Sequence, residues 1–179
     1  MRSAVLCLAV LTAAVVPLGA VTVLPATFEE LVRESVSVLH GRVARVDARW
    51  TADRRTIESV VTLEVADALK GGAVDRATFV VPGGEAGGRI LVIPGAPVFR
   101  PGDEVVVFLR GRAPALPQPV GLSLGVYRVA AACGGGRLVG PTPVSAAGVP
   151  GAVARGAAAR PVRSLAALAA EVRAVEDAR

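Results

Sequence analysis

One histidine, His40, and two cysteines, Cys7 and Cys133, are all the imidazole and thiol chemistry the sequence carries. A metal centre draws several His, Cys or carboxylate side chains at ligand-like spacing. No such spacing is present, so neither a metal nor another cofactor is expected. Cys7 falls in the apolar N-terminal run, which leaves Cys133 single and excludes an intrachain disulfide once that run is removed. Beside the glycines Gly134–Gly136, Cys133 reads as a small buried hydrophobe, with a reactive or intermolecular thiol as the alternative. Aromatics are equally scarce: Trp50, Tyr127 and four phenylalanines, scattered. Of the 20 basic residues only Lys70 is a lysine, and the arginines are spread rather than clustered. Nucleic-acid binding needs basic residues grouped with stacking rings, so no nucleic-acid partner is expected despite a formal charge of +5.

What is abundant is apolar and turn-forming. The chain opens MRSAVLCLAVLTAAVVPLGA: one Arg, an apolar run from Ala4 to Val16 broken only by Thr12, then Pro17 and the small pair Gly19-Ala20. This is the grammar of a secretory signal peptide over residues 1–20, with cleavage as late as 26. The run is shorter than the roughly 20 residues that cross a hydrocarbon core. The expectation is therefore a secreted or periplasmic protein with no integral membrane anchor after signal cleavage. Residues 27–140 then form one domain, 141–163 a Pro/Gly/Ala-rich linker, and 164–179 a terminal helix.

Within 27–140 the periodicity is mostly two. Thr27-Phe28-Glu29-Glu30 has the spacing of a capping box and predicts a short helix over 28–34. From Val36 to Trp50 the pattern alternates, placing Ala44, Val46, Ala48 and Trp50 on the inner face, with a bend or bulge expected at Gly41. Ile57, Ser59, Val61, Leu63 and Val65 alternate in the next run. ATFVV (77–81), RILVI (89–93), EVVVFLR (104–110), LSLGVYRVAA (122–131) and RLVG (137–140) supply further strands, EVVVFLR buried on both faces. Arg100-Pro101-Gly102-Asp103 predicts a type II turn. Short strands between glycine and proline turns indicate a mainly β barrel or sandwich. In the tail, Ser164 caps a helix whose stripe Leu165, Leu168, Val172 and Val175 is expected to dock only in part.

The stretch VVPGGEAGGRILVIPG (80–95) holds two glycine pairs and raises the question of a phosphate loop. Such a loop opens a helix, whose N-terminal N–H groups bind the anion. Here Gly87-Gly88 leads into β-branched residues that stop at Pro94, and the loop has no lysine. It reads as a connection, and the loops 82–88 and 94–102 become candidate partner-binding loops through Gly83, Gly84, Glu85, Pro97 and Phe99. With no catalytic residues in view, the expected function is a non-enzymatic binding module for a protein or cell-envelope partner. The alternative is a hydrolase using dispersed carboxylates or a Cys133–His40 pair.

TFEELVRESVSVLHGRVARVDARW, TIESVVTLEVADALKG, PGAPVFRPGDEVVVFL and GLSLGVYRV together resemble a group of exported bacterial proteins with no assigned activity. The same order also looks like the netrin-type OB barrel of tissue inhibitors of metalloproteinases. That resemblance implies a single OB-like β-barrel, closed or partly open, with a β-sandwich as the alternative, and a protease-inhibitor-like role. The family's inhibitory mechanism needs a disulfide-tethered N-terminal cysteine, which this sequence lacks. Mass spectrometry of the exported protein should find a new N-terminus between about residues 21 and 28; intact Met1 in a cytoplasmic fraction would overturn the assignment.

Overall fold

A computed structural model describes residues 27–132, 135–142 and 160–178. The expected signal peptide 1–20 with its expected cleavage region, Cys133, and residues 143–159 of the expected linker lie outside the described residues. The order of elements is α1 (Phe28–Glu34), β1 (Ser37–Trp50), β2 (Ile57–Lys70), β3 (Arg76–Pro82), β4 (Gly84–Ala86), β5 (Arg89–Leu91), β6 (Glu104–Arg110), β7 (Gln118–Pro119), a 3-10 turn (Leu122–Gly125), β8 (Val126–Ala131), β9 (Arg137–Pro141), β10 (Arg163–Ser164) and α2 (Leu165–Asp177). Among the described residues the protein is mainly β, with two helices.

Every strand pairing is antiparallel. The main sheet runs β10-β9-β8-β6-β1-β2-β3, and β7 pairs with β6 beyond the end of β8. This ladder does not close into a barrel; β3 and β10 are its edges. On the β3 edge, the Val80 N–H donates to the Pro117 carbonyl (2.9 Å), immediately before β7.

The capping box of α1 is complete. The Glu30 N–H donates to the Thr27 hydroxyl (3.2 Å), and the Thr27 N–H donates to the Glu30 carboxylate (2.7 Å). The Gly41 irregularity is also present, as a register shift between His40 and Gly41. A Cβ on Gly41 would lie 2.1 Å from the Glu64 carbonyl oxygen, so the close approach of β2 admits only glycine.

A second irregularity changes the expected inner face. Val43 pairs with Leu63 and Arg45 with Thr62, so Ala44 is an extra residue in the β1 ladder. Leu39 and Val43 are buried before this bulge, whereas Ala44 is exposed, and Val46 packs on the core only after it. One inserted residue exchanges the faces of a strand. Simple alternation carried back through Ala44 therefore misplaces it.

β6 explains its uninterrupted apolar composition by facing two cores. Val105, Val107 and Leu109 join Leu39, Val43, Val61, Leu63, Phe79, Val81 and Phe99 on one face. Val106 and Phe108 join Leu31, Val32, Val38, Tyr127 and Val139 on the other, where both helices pack. Two expected strands are corrected. Residues 122–125 form a 3-10 turn, so β8 begins only at Val126, and 89–93 is a strand only through Leu91, outside the main sheet.

The terminal helix docks more fully than its narrow stripe suggests. Leu168 and Val172 are fully buried and Ala169 nearly so, with Leu165 and Val175 packed at the margin. Lys70, the single lysine, secures the junction: its Nζ donates to the Val32 carbonyl at the end of α1 (2.6 Å) and pairs with Glu176 of α2 (2.7 Å). Leu168→Ala should cost about 2–5 kcal/mol, as for other large-to-small core changes. Deleting residues 164–179 should abolish the cooperative thermal transition, because it uncovers Leu31, Val32, Tyr127 and Val139; an intact transition in the truncated chain would show that α2 is dispensable.

Candidate functional site

The segment between β3 and β6 is held down by its ends and presents its middle to solvent. After Pro82 the chain turns through Gly83 and Gly84, both at positive φ, into the β4–β5 hairpin. Ala86 pairs with Arg89 around Gly87-Gly88, whose φ values of 58° and 71° fit the two-residue turn that closes a tight hairpin. The glycine pairs thus serve a hairpin. The Gly83 N–H donates to the Ile57 carbonyl and its carbonyl accepts from the Ser59 hydroxyl, both at 2.8 Å. A Cβ on Gly84 would stand 2.5 Å from Ser59 Oγ and 2.9 Å from Ala48 Cβ, which shows how closely the hairpin lies on β1 and β2.

The following loop is anchored from beneath. Phe99 is 6% exposed and meets Phe79 edge-on, with centroids 5.4 Å apart. The Arg128 guanidinium lies over its ring at 5.3 Å, donates to the Val98 carbonyl, and pairs with Asp103. Asp103 accepts from the Arg100 N–H (2.7 Å) and donates its own N–H to the Arg100 carbonyl (3.1 Å), closing the expected turn around Gly102.

Of the loop residues singled out from sequence, Glu85 is exposed, Gly84 is half-buried, and Gly83, Pro97 and Phe99 are buried. Phe99 packs under the loop against Phe79. The accessible apolar surface belongs instead to Ile90, Val92 and Val98, which are 71%, 62% and 64% exposed. Val98 lies in the candidate loop 94–102, whereas Ile90 and Val92 were read only as part of the strand RILVI. The available signal was the shortness of RILVI beside a two-glycine turn.

The second candidate was His40. It is 3% exposed on β1, and its ring nitrogen Nε2 lies 2.9 Å from Oε1 of Glu104 on the neighbouring β6. Glu104 also meets Arg42 (3.4 Å) and Arg137 (3.3 Å), and Arg42 donates to the Gly102 carbonyl (2.9 Å). The arrangement joins β1, β6 and β9 through one carboxylate. Its proposed thiol partner, Cys133, lies outside the described residues.

Among the described residues, no group of three or more His, Cys, Asp or Glu side chains could hold a metal ion, and no helix is long and apolar enough to cross a membrane. The candidate site is a pinned loop with exposed apolar side chains on a mainly antiparallel β domain. Comparison with protein-family models, curated proteins and solved structures finds no match for the chain. Phe99→Ala should cost about 3–5 kcal/mol in thermal or denaturant unfolding. Val98→Ala should stay within about 0.5 kcal/mol; similar losses for both would refute the division into anchor and exposed surface.

Proposed function

We propose that the chain is an exported, non-enzymatic binding module that recognises a protein partner through the β4–β5 hairpin and the loop 92–99. The observation that carries this reading is the exposure of Ile90, Val92 and Val98 on a segment fixed by Phe99, Arg128 and the glycine contacts. Apolar side chains in water are not unusual singly, but three on one pinned segment mark an interaction surface. A rigid loop also loses little conformational entropy on binding, which favours affinity. The chemistry favours a protein over a cell-envelope polysaccharide, because the surface offers aliphatic groups and no row of exposed rings.

The module is, in this reading, a partly open OB-like barrel. The single bond from Val80 to Pro117, with β7 paired to β6, supports it by bringing the β3 edge to the chain that continues into the far side of the sheet. Resemblance to the netrin-type domain supports the same architecture, while the lack of a tethered N-terminal cysteine argues against that family's mode of inhibition. Export rests on the N-terminal leader.

The test is affinity capture with the mature chain, followed by titration of the captured partner against the double variant Ile90→Asp, Val92→Asp. Burial of each aliphatic side chain contributes about 1.5–3 kcal/mol, so the double variant should weaken Kd by at least about tenfold with an unchanged melting temperature. An unaltered Kd would place recognition elsewhere on the molecule.

A further inference from the structure

β5 is the outer strand of its hairpin, and one of its sides carries no ladder. β4 lies against β1 and β2, where Gly84 closely approaches Ala48 and Ser59, so the far side of β5 is the open one. In a two-residue turn the closing pair, here Ala86 and Arg89, exchanges both backbone hydrogen bonds, and the pairs alternate from there. Glu85 and Ile90 are therefore the pair whose N–H and C=O groups point away from each other. Those of Ile90 point outward along the open edge, and no other backbone group among the described residues meets them. Val92, just past the end of β5, is likewise without a backbone partner.

Side chains alternate along this edge. Ile90 and Val92 share the outward face, whereas Arg89 and Leu91 lie on the opposite one. Native proteins ordinarily guard an open edge with charge or proline. Here both outward positions are aliphatic, and Pro94 comes only after them. Charge sits on the other face. Arg89 is exposed and forms no ion pair among the described residues, nor does Arg54 in the β1–β2 turn, while Arg49 and Arg55 pair with Glu58 and Asp53. Trp50, at the start of that turn, reaches the hairpin: a Cβ on Gly87 would stand 3.2 Å from its Nε1. The one acid of the hairpin, Glu85, lies across from Ile90 on the outward face.

We propose, resting on the reading of this segment as the recognition surface, that the open edge of β5 takes an extended strand of the protein partner, aliphatic on one face and acidic on the other. An added strand supplies an acceptor for the Ile90 N–H and a donor for its C=O in one register. With a period of two, every second side chain of that strand lies beside Ile90 and Val92, and these are aliphatic. The side chains between them lie on the face of Arg89, and these are acidic. Glu85 disfavours acids on the outward face, which fixes the same order.

Trp50 is the only tryptophan and lies beside the hairpin turn, so its emission reports an added strand. The full mature chain is titrated with a blocked heptapeptide alternating valine and glutamate. The same peptide with lysine for glutamate is compared, as are two versions N-methylated at every second residue, one in each phase. A saturable emission change with the glutamate peptide is expected, at least about tenfold weaker with the lysine peptide and with one methylated phase. Arg89→Glu should cancel the preference for glutamate over lysine. Ile90→Pro, which removes the outward N–H, should weaken binding by at least about tenfold; the peptide comparison decides the matter if that variant fails to fold. No saturable change with the glutamate peptide, equal binding of the lysine peptide, or full affinity of both methylated peptides would each overturn the added strand. So would self-association of the chain that the peptide displaces, which assigns the edge to a second copy. If the strand is overturned while Ile90→Asp, Val92→Asp still weakens a captured partner, recognition by the loop surface stands without it.

Discussion

The rest of the structure depends on β6 having water on neither face. Its five consecutive buried residues, Val105 to Leu109, need apolar cover on both sides, and a single curved sheet can supply only one. The sheet supplies it for Val105, Val107 and Leu109. The helices supply it for Val106 and Phe108. α1 has only seven residues and cannot shield that face alone; α2, arriving from the far end of the chain, completes it with Leu168 and Val172. The terminal helix is therefore part of the fold and not an appendage. A helix of 13 residues is marginal in water by itself, so helix and sheet stabilise each other.

Arginine and a few rings do much of the polar work around these cores. Arg128, Arg160 and Arg163 each lie over an aromatic ring while donating to a carbonyl or pairing with a carboxylate. A planar, weakly hydrated guanidinium suits such positions. The one position that needs a compact ammonium, between the end of α1 and Glu176 of α2, is the one lysine. The same division of labour holds the loop 92–103 in place. Arg128 and Phe99 fix it from below, so Val98 stands exposed on an anchored backbone.

Much of this was legible in the residues. The capping box at Thr27, the glycine irregularity at Gly41, the alternation from Ile57 to Val65, the two-faced β6 and the Ser164 cap all follow from local chemistry, because each signal lies within a few residues of its effect. The candidate site was legible only in outline. Phe99 and Pro97, read as loop contacts, are buried, and Val92, read as strand, lies past the end of β5, since an apolar residue in a loop looks the same whether it anchors or is displayed.

By itself, then, the sequence determined the class of the domain, the order of its strands and the caps of its helices, through periodicity and turn chemistry. Tertiary structure decided which face each residue took. The bulge at Ala44 reversed the phase of β1 because β2 pairs across it without a matching residue. The burial of Leu168, Ala169 and Val172 of α2 came from an open face of the sheet, whose residues there run from Val38 of β1 to Val139 of β9. The meeting of Tyr127 with Arg160 and Arg163 was invisible for the same reason: side chains far apart in sequence acquire a shared environment only when packing brings their backbones together.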